Sequence, residues 1–143
     1  ADTLVLLVDS EAPVQTNSSW DHVKSRSGDG WERPAASTDK DLHFMVECME
    51  NWFLADKEAL SEFYGQKFRL NALPSNADVE KVSKSDVQKA LKNATRDVKK
   101  GAYDKGKHSF KLLATVDPTK IRPVAPFADR FMKHLESVLV GLS

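Results

Sequence analysis

An uninterrupted apolar run near the start of the chain constrains the fold more than any other feature. Residues 3–8 are apolar or β-branched without alternation, and the run stops at Asp9 and Glu11. Such a run is typical of a central parallel strand that helices cover on both faces. The pattern therefore predicts an α/β fold with a small, mostly parallel central sheet flanked by helices. Ligands of such sheets collect beyond the carboxyl ends of the strands, where Asp9 and Glu11 would lie.

The two carboxylates at the end of this strand have two interpretations. If Ser10 keeps extended geometry, Asp9 and Glu11 project to the same side and could share a hard cation such as Mg²⁺. Alternatively, the strand runs into a solvated acidic turn that Ala12 and Pro13 end. The spacing alone leaves both interpretations open.

Length and composition indicate an ordinary globular chain. The 143 residues fit one domain, 1–143, that buries about two thirds of its unfolded surface. Apolar runs stay well below the roughly 18 residues that span a bilayer, and the first residues lack the basic start and apolar core of a signal peptide. We therefore expect a cytoplasmic protein without membrane contact. The single cysteine, Cys48, stands between Val46 and Met49 and is expected to be a buried thiol.

Charge is divided unevenly between the two halves of the chain. Residues 1–72 carry 13 acids and 7 bases, whereas residues 73–143 carry 8 acids and 14 bases. An acidic half that holds cations beside a basic half that holds phosphates suits an enzyme acting on nucleic acid. The same division could serve only to attract the two halves to each other.

Periodicity and turn signals predict the remaining elements. Residues 12–40 are polar and rich in Ser, Gly, Pro and Asp, and predict a long irregular loop with one short helix at 18–24. Residues 84–140 are expected to be mostly helical. Beyond the loop, the predicted elements are a strand at 42–46, a helix from Glu47, a helix at 57–64, a short strand at 68–73, and helices at 84–98, from His108 and at 126–140.

Two tryptophans lie in or beside the irregular parts of the loop. Trp20 and Trp31 are apolar anchors that a free linker seldom carries. In one interpretation the loop is a flap over the carboxylates, with Trp31 stacking a base. In the other, both side chains pack back onto the core.

A second group of polar residues stands at the start of the helix expected from Glu47. Glu47, Glu50 and Asn51 lie at i, i+3 and i+4 and would share one face of that helix. They could bind a metal or a substrate. Acids also favour the first turn of any helix because of its dipole, which is the alternative explanation.

The segment from Lys81 to Lys111 is strongly basic, with ten Lys or Arg residues against three acids. Its bases recur at intervals of three or four, and two glycines in the following loop would let a phosphate backbone approach closely. A solvated charged face is the alternative explanation. The predicted nucleic-acid-binding residues are Lys89, Lys92, Arg96, Lys99, Lys100, Tyr103, Lys105 and Lys107.

Several common catalytic patterns are missing from the sequence. It contains no phosphate-cradling glycine loop, no Cys or His pairs with zinc-site spacing, and no nucleophile elbow. A hydrolase with a covalent nucleophile is therefore disfavoured. Acid clusters beside a basic surface favour metal-assisted phosphodiester cleavage instead.

Three segments give the chain a family resemblance: LLVDSE at 6–11, ENWFLAD at 50–56 and YDKGKH at 103–108. In this order they resemble the bacterial domain-of-unknown-function 4276 family, over essentially the full length. That family looks like a distant member of the TOPRIM group, the α/β domain of topoisomerases, bacterial primases and related nucleases. The resemblance implies a TOPRIM-like, Rossmannoid fold, a nuclease-like activity in phage defence, and an ATPase as a partner.

The TOPRIM pattern also implies roles for individual residues. Asp9 and Glu11 match its Asp-x-Asp motif, with Glu in the last place, and would hold Mg²⁺. The Glu that follows the first TOPRIM strand has no counterpart, because this chain begins with the strand that should come third. We therefore expect that an N-terminal strand and helix lie upstream of Ala1 or that the chain is a shortened relative.

These observations combine into one leading hypothesis and two alternatives. In the leading hypothesis, Asp9 and Glu11 hold Mg²⁺, Glu47 or Glu50 adds a ligand or a general base, and the bases act on the scissile phosphate. The alternatives are a catalytically inert module that binds a partner ATPase, and a nucleic-acid-binding protein without chemistry. The bases assigned to the phosphate are Lys105, Lys107 and His108.

Overall fold

The computed structural model describes residues 5–25, 32–75 and 77–142. Two strands, β1 (Leu6–Asp9) and β2 (Leu42–Met45), pair in parallel with Leu6 opposite Leu42 and Asp9 opposite Met45. Helices flank this two-stranded sheet. The expected α/β class with a small parallel sheet is therefore confirmed.

The helices follow the order that periodicity predicts, with some changes in their bounds. The α-helices of the described ranges are α1 (Ser19–Ser25), α2 (Glu50–Phe53), α3 (Lys57–Tyr64), α4 (Lys84–Ala94), α5 (Lys105–Thr115), α6 (Pro118–Ile121) and α7 (Pro126–Leu142). Short 3₁₀ turns lie at Leu70–Ala72, Val79–Lys81 and Arg122–Val124.

The two faces of the sheet pack against different parts of the core. On one face, the even-numbered residues of β1 and β2 join a cluster with Trp20 and Val23 of α1. On the other face, Leu7 and Met45 pack against the larger cluster, which α2 to α7 build. Trp20 is buried, and its Nε1–H donates to the carbonyl of Thr38 at 2.7 Å. Of the two tryptophans predicted to pack onto the core, Trp20 does so, and Trp31 lies outside the described residues.

Helix α4 presents its apolar side to the larger cluster, as its periodicity predicts. The residues that pack there share burial and a spacing of three or four: Val87, Ala90, Leu91 and Ala94. The helix ends at Ala94 instead of residue 98, because the N–H groups of Arg96 and Val98 bond carbonyls three residues back instead of four. At this end, Oγ1 of Thr95 donates to the carbonyl of Leu91 at 2.6 Å and accepts from the N–H of Tyr103 at 2.7 Å.

Three further sequence predictions need correction. The strand predicted at 68–73 is wrong, because the N–H of Arg69 bonds the carbonyl of Ala94 and the next residues form the Leu70–Ala72 turn. Helix α5 begins at Lys105, before His108, because the Asp104 side chain caps it by accepting from the N–H of Lys107 at 3.0 Å. In α7 the predicted apolar stripe is only partly core, since Leu139 is 57% exposed.

Within the described part of the chain, none of the helices combines the length and the apolar character that crossing a membrane requires.

Candidate functional site

Asp9 ends β1 and lies at the carboxyl edge of the sheet, as the sequence predicts. Its Oδ1 accepts a hydrogen bond from the backbone N–H of Met49 at 2.8 Å. Its Oδ2 lies 3.6 Å from the Nζ atom of Lys105. Burial raises the pKa of Asp9 above its ordinary value, although the Lys105 ammonium and the Met49 N–H oppose this. A carboxylate with a raised pKa is a better proton acceptor near neutral pH.

Glu50 begins α2 and its side chain is fully buried, at 0% exposure. Its Oε2 accepts from the hydroxyl of Tyr103 at 2.6 Å and lies 4.0 Å from Nζ of Lys105. Its Oε1 has no hydrogen-bond partner among the described residues. Burial, together with the Glu50 carboxylate, raises the pKa of the Tyr103 hydroxyl well above its usual range. Tyr103 therefore remains a proton donor to Glu50.

Lys105 joins these two carboxylates. It is the first residue of α5, whose start the Asp104 cap fixes, and its ammonium approaches both Asp9 and Glu50. Two carboxylates thus converge on one cationic group at the end of a strand. The pair that converges consists of Asp9 and Glu50, which lie 41 positions apart in the sequence.

Glu11 is not part of the group formed by Asp9, Glu50 and Lys105, because the chain turns after Ser10. The backbone of Glu11 has a φ of 67° instead of an extended value, and its carboxylate forms an ion pair with Lys84 of α4. The expected projection of Asp9 and Glu11 to one side depended on extended geometry. The Asp9 and Glu11 metal pair remains a prediction.

Glu47 and Asn51 also separate from Glu50, which corrects the expected shared helix face. Because α2 begins at Glu50, Glu47 lies outside the helix, and its Oε1 accepts from the backbone N–H of Lys84 at 2.9 Å. Asn51 points into the core, where its Nδ2 donates to the carbonyls of Val79 and Val82, each at 2.8 Å. Asn51 is therefore a structural residue that ties α2 to the turn before α4.

Two adjoining clefts run along α4 and contain most of the predicted site residues. The first, of about 310 Å³, is lined by Glu50, Tyr103 and Lys105 among others. The second, of about 520 Å³, is lined by the side of α4 that faces the sheet edge. Gln88 and Lys92 line both clefts, so the two adjoin. We call the first of these the acidic cleft. The second cleft is lined by Glu11, Glu47, Ser83, Lys84, Ser85, Gln88, Lys89 and Lys92.

Sequence reasoning missed Lys84 and Gln88. Both precede Lys92 on one face of α4 at steps of four residues. The sequence shows this spacing of four residues. It does not show where this face of α4 lies relative to Glu11 and Glu50. The predicted base Lys92 is the member of this row that reaches both clefts.

The other predicted nucleic-acid-binding residues are distributed over different surfaces. Arg96 forms an exposed ion pair with Asp97 at 3.7 Å. Lys99 and Lys100 line another cleft beside Phe63. Lys107 is exposed in the first turn of α5. The predicted basic stripe is therefore divided, and only part of it borders the carboxylates.

His108 lies inside the protein. Its Nδ1 accepts from the hydroxyl of Tyr64 at 3.1 Å and from the N–H of Asp104 at 3.3 Å. Burial lowers the pKa of His108, so the imidazole stays neutral near pH 7. Its ring packs against Phe63 and Tyr103.

Cys48 is fully buried, and its thiol lies 3.2 Å from Oδ1 of Asn51. Burial, followed by the charge of Glu50, raises the pKa of the thiol to about 12. The expectation of a buried thiol is confirmed. A thiol of this kind is inert as a nucleophile.

The carboxylates that approach Lys105 can be tested against the requirements of Mg²⁺. Among the described residues, no group of three or more His, Cys, Asp or Glu side chains is placed to hold a metal ion. Mg²⁺ commonly uses only one or two carboxylates and takes its other ligands from water and substrate phosphates. Asp9 and Glu50 supply two carboxylates that approach one cationic group, and Oε1 of Glu50 is unpartnered among the described residues. Asp9 and Glu50 therefore supply oxygen donors of the type that Mg²⁺ prefers.

Comparison with curated proteins and with solved structures gave no match. A family model described as Domain of unknown function (DUF4276) matches residues 1–136. This match covers nearly the whole chain and includes the three segments that carry the resemblance. The chain therefore belongs to the domain-of-unknown-function 4276 family.

Proposed function

We propose that the chain is a TOPRIM-like domain that binds nucleic acid along α4 and cleaves phosphodiester bonds at the acidic cleft with Mg²⁺. One observation carries the proposal. The Lys105 ammonium lies between the carboxylates of Asp9 and Glu50, at 3.6 and 4.0 Å, beyond the carboxyl end of β1. Opposite charges that converge at this edge of a parallel sheet are suited to a metal and a phosphate.

Asp9 and Glu50 would hold the metal. When bound there, Mg²⁺ would neutralise charge on a substrate phosphate and lower the pKa of a bound water. Glu11 would extend the donor set if Lys84 released it. All of these ligands are oxygen atoms, which Mg²⁺ prefers.

Other residues of the acidic cleft would bind the phosphate and orient the Glu50 carboxylate. Lys105 supplies a cation for the phosphate, and Lys92 supplies a second one from α4. Tyr103 holds the Glu50 carboxylate in one orientation through its 2.6 Å hydrogen bond.

A nicking assay tests this function. We expect the chain to cut supercoiled plasmid or single-stranded RNA in Mg²⁺ and to lose the activity in EDTA. Asp9→Asn and Glu50→Gln each lower the rate about 100-fold or more. Asp86→Asn, which changes an exposed carboxylate of α4, is the matched control and keeps the wild-type rate. Wild-type protein without Mg²⁺-dependent cleavage, or unchanged cleavage by Asp9→Asn, contradicts the proposal.

A second candidate function is nucleic-acid binding without chemistry. It is favoured by the pairing of Glu11 with Lys84 and of Asp9 with Lys105, which reduces the repulsion of phosphates. This function predicts an affinity that is equal in Mg²⁺ and EDTA and falls steeply with salt. Affinity that is insensitive to salt excludes it.

A further inference from the structure

A separate cleft combines aromatic side chains with two lysines and one glutamate. It has a volume of about 550 Å³, and its lining includes Glu62, Phe63, Tyr64, Lys99 and Lys100 but none of the residues that line the clefts along α4. We propose that this Phe63 cleft stacks an unpaired nucleobase on Phe63 while Lys99 and Lys100 bind neighbouring phosphates. The inference rests on the proposed function and makes single-stranded nucleic acid its substrate class.

The backbone brings these side chains together at two sharp turns. Phe63 lies in the last turn of α3, which Gly65 ends with a φ of 70°. Lys99 and Lys100 follow α4 and precede Gly101, whose φ is 89°. Glycine adopts these positive φ values without steric cost. Both segments therefore reverse direction beside the same cleft.

Three neighbouring groups contact the ring of Phe63. Tyr64 and His108 contact it in perpendicular or near-perpendicular geometry, with ring centroids 4.9 and 5.8 Å away. The Nζ atom of Lys100 lies over the ring, 5.1 Å from its centroid. An exposed lysine therefore covers a face of the ring.

A nucleobase can replace this lysine over the ring. An exposed cation–π contact is weaker than the stack of a base on an aromatic ring. The displaced ammonium of Lys100 would then bind the phosphate that accompanies the base. Bases within a duplex are stacked on each other and offer no free face, so the Phe63 cleft selects unpaired bases.

Packed rings connect the Phe63 cleft with the acidic cleft. His108 contacts Phe63 and also contacts Tyr103, with a ring-centroid distance of 6.3 Å. Tyr103 in turn binds Glu50. One rigid group of side chains therefore supports both clefts, and a strand bound at Phe63 is held at a fixed position relative to the carboxylates.

Fluorescence anisotropy in EDTA tests the inference independently of cleavage. The probes are a labelled oligodeoxythymidine of about 15 nucleotides, an abasic oligomer of equal length, and a duplex of equal length. We expect Phe63→Leu to weaken oligodeoxythymidine binding about tenfold and to leave abasic binding unchanged. Phe110→Leu is the matched control, because Phe110 is 73% exposed on α5 and lies outside the cleft lining. The wild-type protein is expected to prefer the single strand to the duplex.

Two further variants keep the test decisive if Phe63→Leu fails to fold. Phe63→Trp offers a larger ring face and is expected to retain or strengthen oligodeoxythymidine binding. Lys99→Ala combined with Lys100→Ala changes only exposed side chains and is expected to weaken both single-stranded probes. Lys40→Ala combined with Lys133→Ala makes the same charge change elsewhere and is expected to have a smaller effect.

Three results would overturn the inference: wild-type affinity in Phe63→Leu, an equal loss on the abasic probe, or equal binding of duplex and single strand. Failure of the proposed function gives a different pattern. Absent nicking with base-dependent binding contradicts only the cleavage chemistry. Nicking with no effect of Phe63→Leu on binding contradicts only the stacking site.

Discussion

Glu50 is the residue whose environment departs most from that of an ordinary glutamate. A fully buried carboxylate is costly unless charges and hydrogen bonds compensate it. Glu50 has the Tyr103 hydroxyl at 2.6 Å and the Lys105 ammonium at 4.0 Å, and its Oε1 lacks a partner among the described residues. A buried polar atom without a hydrogen-bond partner is rare in a folded protein and is often found at a functional site.

Removing the Tyr103 hydroxyl tests how much its hydrogen bond to Glu50 stabilises the fold. Tyr103→Phe leaves the buried carboxylate without its hydrogen bond, so we expect the free energy of unfolding to fall by about 2 kcal/mol. Tyr64→Phe is the matched control, because its hydroxyl bonds the neutral His108 ring, and its loss should be about 1 kcal/mol. Urea unfolding followed by tryptophan fluorescence measures both. Equal losses in the two variants would mean that the hydrogen bond from Tyr103 to Glu50 stabilises the fold no more than the bond from Tyr64 to His108.

At the scale of elements, the start of α7 is held by a carboxylate from another segment. Glu80, in the Val79–Lys81 turn, accepts from the N–H groups of Phe127 and Ala128 at 3.0 and 3.1 Å. Burial nevertheless raises the pKa of Glu80 to about 7. Because α7 packs on β2, this contact also places the helix against the sheet.

Glu80 gives the fold a pH dependence with a definite sign. Its pKa is about 7 in the folded chain and near 4.5 in the unfolded chain, so the folded state binds the proton more tightly. The resulting stabilisation is complete below pH 4.5 and is lost as the pH rises through 7. We expect the free energy of unfolding to fall across this window by at most about 1.4 kcal/mol per pH unit. Chemical denaturation at several pH values measures the slope.

Glu80→Gln should flatten that slope, because the titrating group is removed. Glu62→Gln, at an exposed position, is the control and should keep the wild-type profile. An unchanged slope in Glu80→Gln would assign the pH dependence to other groups.

Elements with a buried stripe were predictable from the sequence, and elements defined by distant bonds were not. Apolar runs located β1 and β2, and periodicity located the apolar side of α4, because these residues pack in or against the core. The short run at 68–73 has no such pattern. The hydrogen bond from the N–H of Arg69 to the carbonyl of Ala94 determines its conformation. The residues before Glu50 are engaged with the end of β1, since the carbonyl of Glu47 accepts from the N–H of Glu11, and this delays the start of α2.

At the scale of the molecule, the uneven charge serves two purposes. Ion pairs join the acidic first half to the basic second half, as in Glu11 with Lys84, Asp9 with Lys105 and Asp56 with Lys120. This matches the alternative that the halves attract each other. Other bases remain exposed, and these are available for phosphates: Lys89, Lys92, Lys99, Lys100 and Lys107.

The salt dependence of nucleic-acid binding tests the exposed bases. Each phosphate contact contributes about 0.9 to the slope of log affinity against log salt for a duplex and about 0.7 for a single strand. Lys89→Ala combined with Lys92→Ala should therefore reduce the slope by about 1.4 for a single strand and about 1.8 for a duplex. Anisotropy titrations over a range of salt concentrations measure it, with Lys40→Ala combined with Lys133→Ala as the control of equal charge. An identical slope in both double variants would place the phosphates elsewhere.

The candidate site was predictable as a set of residues but not as an arrangement. Asp9, Glu50, Tyr103 and Lys105 stood out by residue type and by position near element ends. Their meeting depends on how three separate segments pack, which no local pattern encodes. The turn at Glu11 likewise comes from a single backbone angle, and it separates two carboxylates that the sequence places side by side.

The bonds of Glu47 and Asn51 have a consequence for the speed of recognition. Glu47 attaches the sheet edge to the first N–H of α4, and Asn51 attaches α2 to the turn that precedes it. Both walls of the clefts along α4 are therefore joined before any ligand arrives. For a ligand of these clefts we expect an association rate set by diffusion and charge steering, without a slower step of cleft closure.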